Sequence, residues 1–265
     1  MIIQIEKLKL CTLNNFKLIN FFLYILFFNI YFPNHLNNFL FTTDSLYEQG
    51  EYKKTFILLS DEYDKSSNDV RITFRYARSI FMLANIEKNI QKQNELYYYG
   101  LAKAQEALLL DTNNVYSNFW YASYLGKIGQ IEGFEKSILN SYKMKEYATK
   151  AIKLDPDFSP SYHMMGRWHY ELSSLNFFEK IFAETIYGEL PNSSYDQAVS
   201  FFEKALEIEP KNIRYNFWLA KVLSATNNNE KAISLHKTIV NLESRDTEEA
   251  EIISKSKKII RENER

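Results

Sequence analysis

The sequence predicts an all-α solenoid of helical hairpins, and three observations carry that prediction. The first is a period: Ala198, Phe202, Ala205 and Pro210 are followed in register by Leu219, Ala220 and Ala232, the last 34 residues after Ala198. Small residues are needed where two helices cross closely, and a proline ends one helix before the next begins. The second is the recurrence of a large–small pair at Tyr76–Ala77, Tyr121–Ala122, Met165–Gly166 and Leu219–Ala220. The third is composition: 265 residues, 46% hydrophobic and 25% charged, supply a sizeable core, while 7 Gly and 5 Pro leave few helix breakers.

The spacing A-x3-F-x2-A-x4-P is the half-signature of a tetratricopeptide repeat. From the N-terminus, residues 1–17 are polar and basic, with Lys7, Lys9 and Lys17. Residues 18–33 (LINFFLYILFFNIYFP) form an apolar segment broken only by Asn20 and Asn29. Its length falls between the roughly 7–15 residues of a signal-peptide core and the roughly 20 of a full membrane span. We read it as a membrane anchor or an uncleaved signal, with a buried first helix as the alternative. Lysines precede it and none follows until Lys53, so the positive-inside rule sends the repeats across the membrane if it inserts. The expected locations are therefore a membrane or an exported compartment, or the cytoplasm if the segment is buried.

The repeat domain is expected over residues 44–245. It opens with SLYEQGEYKKTFILLSDEY, turning at Gly50–Glu51–Tyr52. VRITFRYARSIFML then pairs with NELYYYGLAKAQEALLLD, and VYSNFWYASYLGK with KMKEYATKAIKLDP, where Ala151 and Pro156 repeat the spacing of Ala205 and Pro210. In the next hairpin 32 residues separate Gly166 from Ala198, whereas 12 separate Ala220 from Ala232. An insertion of some 20 residues therefore sits inside it, tolerated because loop closure grows slowly with length. Smaller insertions lengthen the two hairpins before it. Residues 246–265 read as a terminal capping helix, with Ile252, Ile253, Ile259 and Ile260 on one face.

The chemistry-bearing patterns are sparse. A net charge of −1 gives no field directed at nucleic acid, and the single cysteine, Cys11, excludes an internal disulfide and a cysteine-based zinc site. His163 and His169 lack the i, i+4 spacing of a helical metal pair and read as core residues. No phosphate-binding glycine loop or nucleophile elbow occurs. The expectation is a protein that is not an enzyme and needs no cofactor or metal.

The repeat register gives a candidate groove. With repeats starting at Val70, Val115, Ser159 and Ile213, the ninth positions are Arg78, Ser123, Arg167 and Lys221, and the fifth are Phe74, Phe119, His163 and Phe217. Lys127 adds a cation one turn beyond Ser123, and Arg71 and Tyr170 complete the candidate set. First helices line the concave face of such an array, so cations beside aromatic rings there suit an acidic peptide or another anionic ligand with an extended body. The alternative is that the rings are core and the cations pair with neighbouring carboxylates.

The segment from Trp120 through Gly126, Gly129, Gly166–Arg167–Trp168, Gly188–Glu189–Leu190–Pro191 and Tyr195 resembles the regulator of microtubule dynamics family, over roughly residues 45–245. The resemblance implies an all-α interaction domain associated with microtubules, some members being membrane-anchored with a phospholipid-binding repeat domain. The acidic two-phenylalanine motif of anchored members is not evident, because Phe177–Phe178–Glu179 falls within a predicted helix. The resulting expectation is an adaptor taking an acidic peptide, with tubulin as a candidate partner. The competing expectation is an anionic-phospholipid binding or transfer module.

Overall fold

The computed structural model describes residues 35–264, and the side chains of Ile186 and Tyr187 lie outside that description. The basic and apolar N-terminal segments, and with them the anchor, signal and topology expectations, lie outside the described residues. The chain divides between Leu46 and Tyr47 into two compact units. Of the first, residues 35–46 are helical, as part of a helix α1 that covers 35–48.

The second unit is an array of antiparallel helices: α2 Tyr52–Ser66, α3 Val70–Ile86, α4 Ile90–Leu110, α5 Val115–Glu132, α6 Phe134–Leu154, α7 Ser159–Ser173, α8 Phe177–Tyr187, α9 Tyr195–Ile208, α10 Ile213–Ala225, α11 Asn229–Ile239 and α12 Thr247–Asn263. The described residues contain no strand, as the repeat arithmetic requires. Hairpins form by α3–α4, α5–α6, α7–α9 and α10–α11, and α12 closes the end against α10 and α11. Short polar residues start most helices: the side chains of Asp69, Asn89, Asn114, Ser194, Asn212 and Asp246 each accept a backbone N–H of the first turn.

The small residues sit where the helices meet. Ala77, Ala122, Ala198, Ala205, Ala220 and Ala232 are all essentially inaccessible to solvent. A Cβ on Gly166 would stand 2.8–2.9 Å from the Phe202 ring, which binds α7 to α9. Gly100 is tighter still: a Cβ there would lie 2.0 Å from the Tyr124 hydroxyl, which itself donates to the Ala77 carbonyl at 2.7 Å. The insertions are resolved in two ways. Both α4 and α6 run to 21 residues, so the smaller ones extend the second helices at their starts. The large one forms α8, set between the partners α7 and α9. In the capping helix the inward face is Glu249, Ile252 and Ser256, not an isoleucine stripe alone, and Ser256 Oγ meets His236 Nδ1 at 3.0 Å.

Candidate functional site

Curvature follows from which helices touch. Successive first helices α3, α5, α7 and α10 meet one another directly, whereas α4, α6, α9 and α11 share no such contact. The first helices are therefore the inner layer, and their exposed sides form the concave wall.

On that wall four of the five candidate cations lie over aromatic rings, Arg71 being the exception. The Arg78 guanidinium is 4.0 Å from the Tyr47 ring centre, the Arg167 guanidinium 4.4 Å from Trp218, and the Lys221 ammonium 4.4 Å from Trp218 and 4.9 Å from Tyr170. Lys127 lies 5.6 Å from Tyr97. These are cation–π distances. Arg167 also pairs with Glu171 at 2.9 Å within its own helix, and Arg71 is bound to its N-cap, Asp69, at 2.6 Å. Lys127 is largely buried; desolvation, then the charge of Arg167, lowers its pKa. Ser123 spends its hydroxyl on the Phe119 carbonyl at 2.9 Å.

The aromatic members of the candidate set are packed into the array. Phe74 is buried and stacks on Tyr116 at 4.7 Å, Phe119 meets Trp120 and Phe158, and Phe217 joins Ile213, Ile239 and Ile252. His163 stacks on Tyr215 at 4.8 Å, and burial holds its pKa well below the usual imidazole value. His169 stacks on Phe201, with burial and then Lys145 lowering its pKa from 6.5 to about 4. The rings that back the cations are others: Tyr47, Tyr97, Tyr170 and Trp218. Of these, only Tyr170 was in the sequence set.

The sequence set also lacks the strongest charge cluster. Arg214 binds Asp246 at 2.6 Å, Glu248 at 3.0 Å and Glu249, while Arg245 binds Glu249 at 2.8 Å. Burial works against the Arg214 charge, but the carboxylates around it raise its pKa overall. Glu248 also extends its field to Tyr97, whose pKa burial and then this carboxylate push up to about 12. Tyr52 donates to Asp246 at 3.2 Å, and a Cβ on Gly50 would meet the Arg245 carbonyl at 3.4 Å. The beginning of this array thus touches its last segment. Arg214 occupies the same repeat position as Arg71, and that equivalence was the available signal. Among the described residues no group of three His, Cys, Asp or Glu is placed to hold a metal, and no helix is long and apolar enough to cross a membrane.

The family model for regulator of microtubule dynamics proteins 1–3 matches residues 39–264. The chain belongs to the regulator of microtubule dynamics family. Among similar relatives, regulator of microtubule dynamics protein 1 of Mus musculus is 32% identical over 189 residues, 71% of this chain and 61% of the relative. Protein 2 of Bos taurus is 28% identical over 181 residues, 68% of this chain and 44% of the relative. The chain thus spans between two-fifths and three-fifths of the relatives it matches. A thermophilic TPR protein of Thermus thermophilus superposes with a TM-score of 0.61 at 13% identity, covering 84% of this chain and 98% of that one. That likeness concerns the fold: this family member is built as a tetratricopeptide-like array.

Proposed function

We propose that the chain is a non-enzymatic adaptor whose concave wall holds an acidic segment of a protein partner. The supporting observation is the row of ring-backed cations at Arg167, Lys221, Lys127 and Arg78. An aromatic face beneath a cation orients it without cancelling its charge, so a carboxylate can approach Lys221 from the open side and can take the place of Glu171 at Arg167. Lys221 is exposed, Arg167 and Lys127 are half-buried, and Arg78 is buried. The names of the relatives, regulators of microtubule dynamics, make the acidic tails of tubulin the first partner to test.

Fluorescence anisotropy with a glutamate-rich peptide, alongside microtubule co-sedimentation, tests this reading. Wild type is expected to bind in both assays, more weakly as salt rises. Arg167→Glu combined with Lys221→Glu is expected to lose about tenfold or more in affinity with unchanged circular dichroism. Equal binding by wild type and the double variant would remove the wall from consideration.

A further inference from the structure

Helix α8 carries its apolar face outward. Asn176 and Glu179 form a reciprocal capping box at its start, and Gly188, with φ +78°, ends it. On its inner side Ala183 is fully buried in the cluster of Ile138, Met165 and Trp168. Phe177, Phe178, Ile181 and Phe182 are spaced i, i+1, i+4, i+5, which places them together on the side away from Ala183. Their exposures are 70%, 79%, 46% and 50%. Phe177 and Phe178 meet edge to face, and Phe182 leans on Phe134 of α6. A contiguous apolar patch on the outside marks a contact surface.

The charges beside the stripe select its occupant. Lys180 and Glu184, one turn apart on the same flank, are both exposed, and neither forms an ion pair among the described residues. The flank carries both signs, so no surface of a single sign is complementary to it. A second α8 laid antiparallel is. With a two-fold axis passing between Ile181 and Phe182, Ile181 of each copy comes level with Phe182 of the other, and Phe178 with Thr185. Lys180 of each copy then stands within one residue of the level of Glu184 of the other. A parallel pair would instead set lysine against lysine and glutamate against glutamate. At their exposures the four apolar side chains offer roughly 450 Å² per copy, against roughly 800 Å² per partner in a stable interface. The contact is therefore a reversible one, with a dissociation constant on the order of micromolar or weaker.

We propose that two copies of the chain associate through α8, packed antiparallel about a two-fold axis. The phenylalanine stripes close on each other, and two Lys180–Glu184 pairs cross the contact at its edge. Helix α8 packs on α6, outside the inner helix layer, so this contact neither uses nor depends on the acidic-segment reading.

The test uses the full chain with Cys11→Ser and Ile181→Cys, which sets a thiol beside the two-fold axis, and reads disulfide-linked dimer under mild oxidation. Cys11→Ser with Glu230→Cys, on α11, is the control. The expected result is linking at position 181 that rises with protein concentration, and little at 230. Adding Phe177→Ser with Phe178→Ser should slow the link about tenfold or more. In dilute solution, where the dimer has dissociated, the same two substitutions leave the unfolding free energy unchanged. Lys180→Glu and Glu184→Lys should each slow linking alone. An equimolar mixture of those two chains should link about fivefold faster than either, because opposite charges then meet at both pairs. A mixture no faster than its components would overturn the antiparallel pairing. Equal linking at 181 and 230 would assign self-association to another segment and overturn the proposal. So would a thiol at 181 that never links, and its shielding from a water-soluble maleimide by added vesicles would then give the stripe to lipid.

Discussion

Gly166 and Phe178 belong to the same hairpin and sit in opposite surroundings. Around Gly166 there is no room for one added carbon, because the Phe202 ring closes the crossing of α7 and α9. Around Phe178 nearly four-fifths of the side chain faces solvent. The first region is set by the repeat: its period brings a small residue and a large one to the same crossing. The second was inserted between the two partners and is held by its caps, by buried Ala183 and by Phe182 against Phe134, so Phe177 and Phe178 are left facing solvent. Apolar residues that packing does not explain call for a partner.

The sharpest way to break this comparison is to fill the crossing. Gly166→Leu is expected to cost about 3 kcal/mol by overpacking against Phe202. In a domain of this size that lowers the thermal midpoint by roughly 6–12 °C. An unchanged midpoint would show that α7 and α9 do not cross at this point.

Removing Arg214 comes next. Arg214→Ala leaves Asp246 and the 1% exposed Glu249 with fewer partners, although Arg245 still reaches Glu249. A loss of about 2 kcal/mol is expected by urea titration, since a buried carboxylate without its counter-charge is costly. Arg214→Lys should recover only part, because an ammonium cannot bridge three carboxylates as a guanidinium does.

Acid should expose a third, smaller effect. His163, His169 and His236 all have pKa values lowered chiefly by burial. The unfolded chain therefore binds more protons than the folded one below the ordinary value of 6.5. Their contribution is fully present above about pH 6.5 and is lost as pH falls towards the folded values, near 4 for His169. His169→Phe, which keeps the stack on Phe201, should flatten the midpoint-versus-pH curve in that window, by on the order of 1–2 kcal/mol. A curve parallel to wild type would assign the acid sensitivity elsewhere.

The least effect on stability is expected on α8. Phe177→Ser with Phe178→Ser removes only exposed rings, and the unfolding free energy should stay within about 0.5 kcal/mol of wild type. A large drop in a melting experiment would mean that the stripe packs within the folded domain.

Reading forward from sequence, the crossings were accessible because they depend on local periodicity. Tyr76–Ala77, Tyr121–Ala122, Met165–Gly166 and Leu219–Ala220 all fall at buried helix contacts or immediately beside them. The large insertion was visible as a count of residues, but its orientation was not, since periodicity alone does not say which face of a helix meets the core. The cations at Arg78, Arg167 and Lys221 were visible as equivalent repeat positions. Their ring partners were not, because Tyr47 lies beneath Arg78 and Trp218 beneath Arg167 through tertiary placement. Glu249 was hidden for the same reason: a carboxylate on a charged terminal helix reads as solvated until Arg214 arrives from another hairpin.

The bond from Tyr52 to Asp246 changes how such an array loses its structure. An open row of repeats frays from its termini, each end unit held by a single neighbour. Here the leading turn grips the trailing segment, so neither terminus can peel away without breaking a tie to the other. The two ends of the row are therefore coupled through this bond, and loosening one weakens the hold on the other.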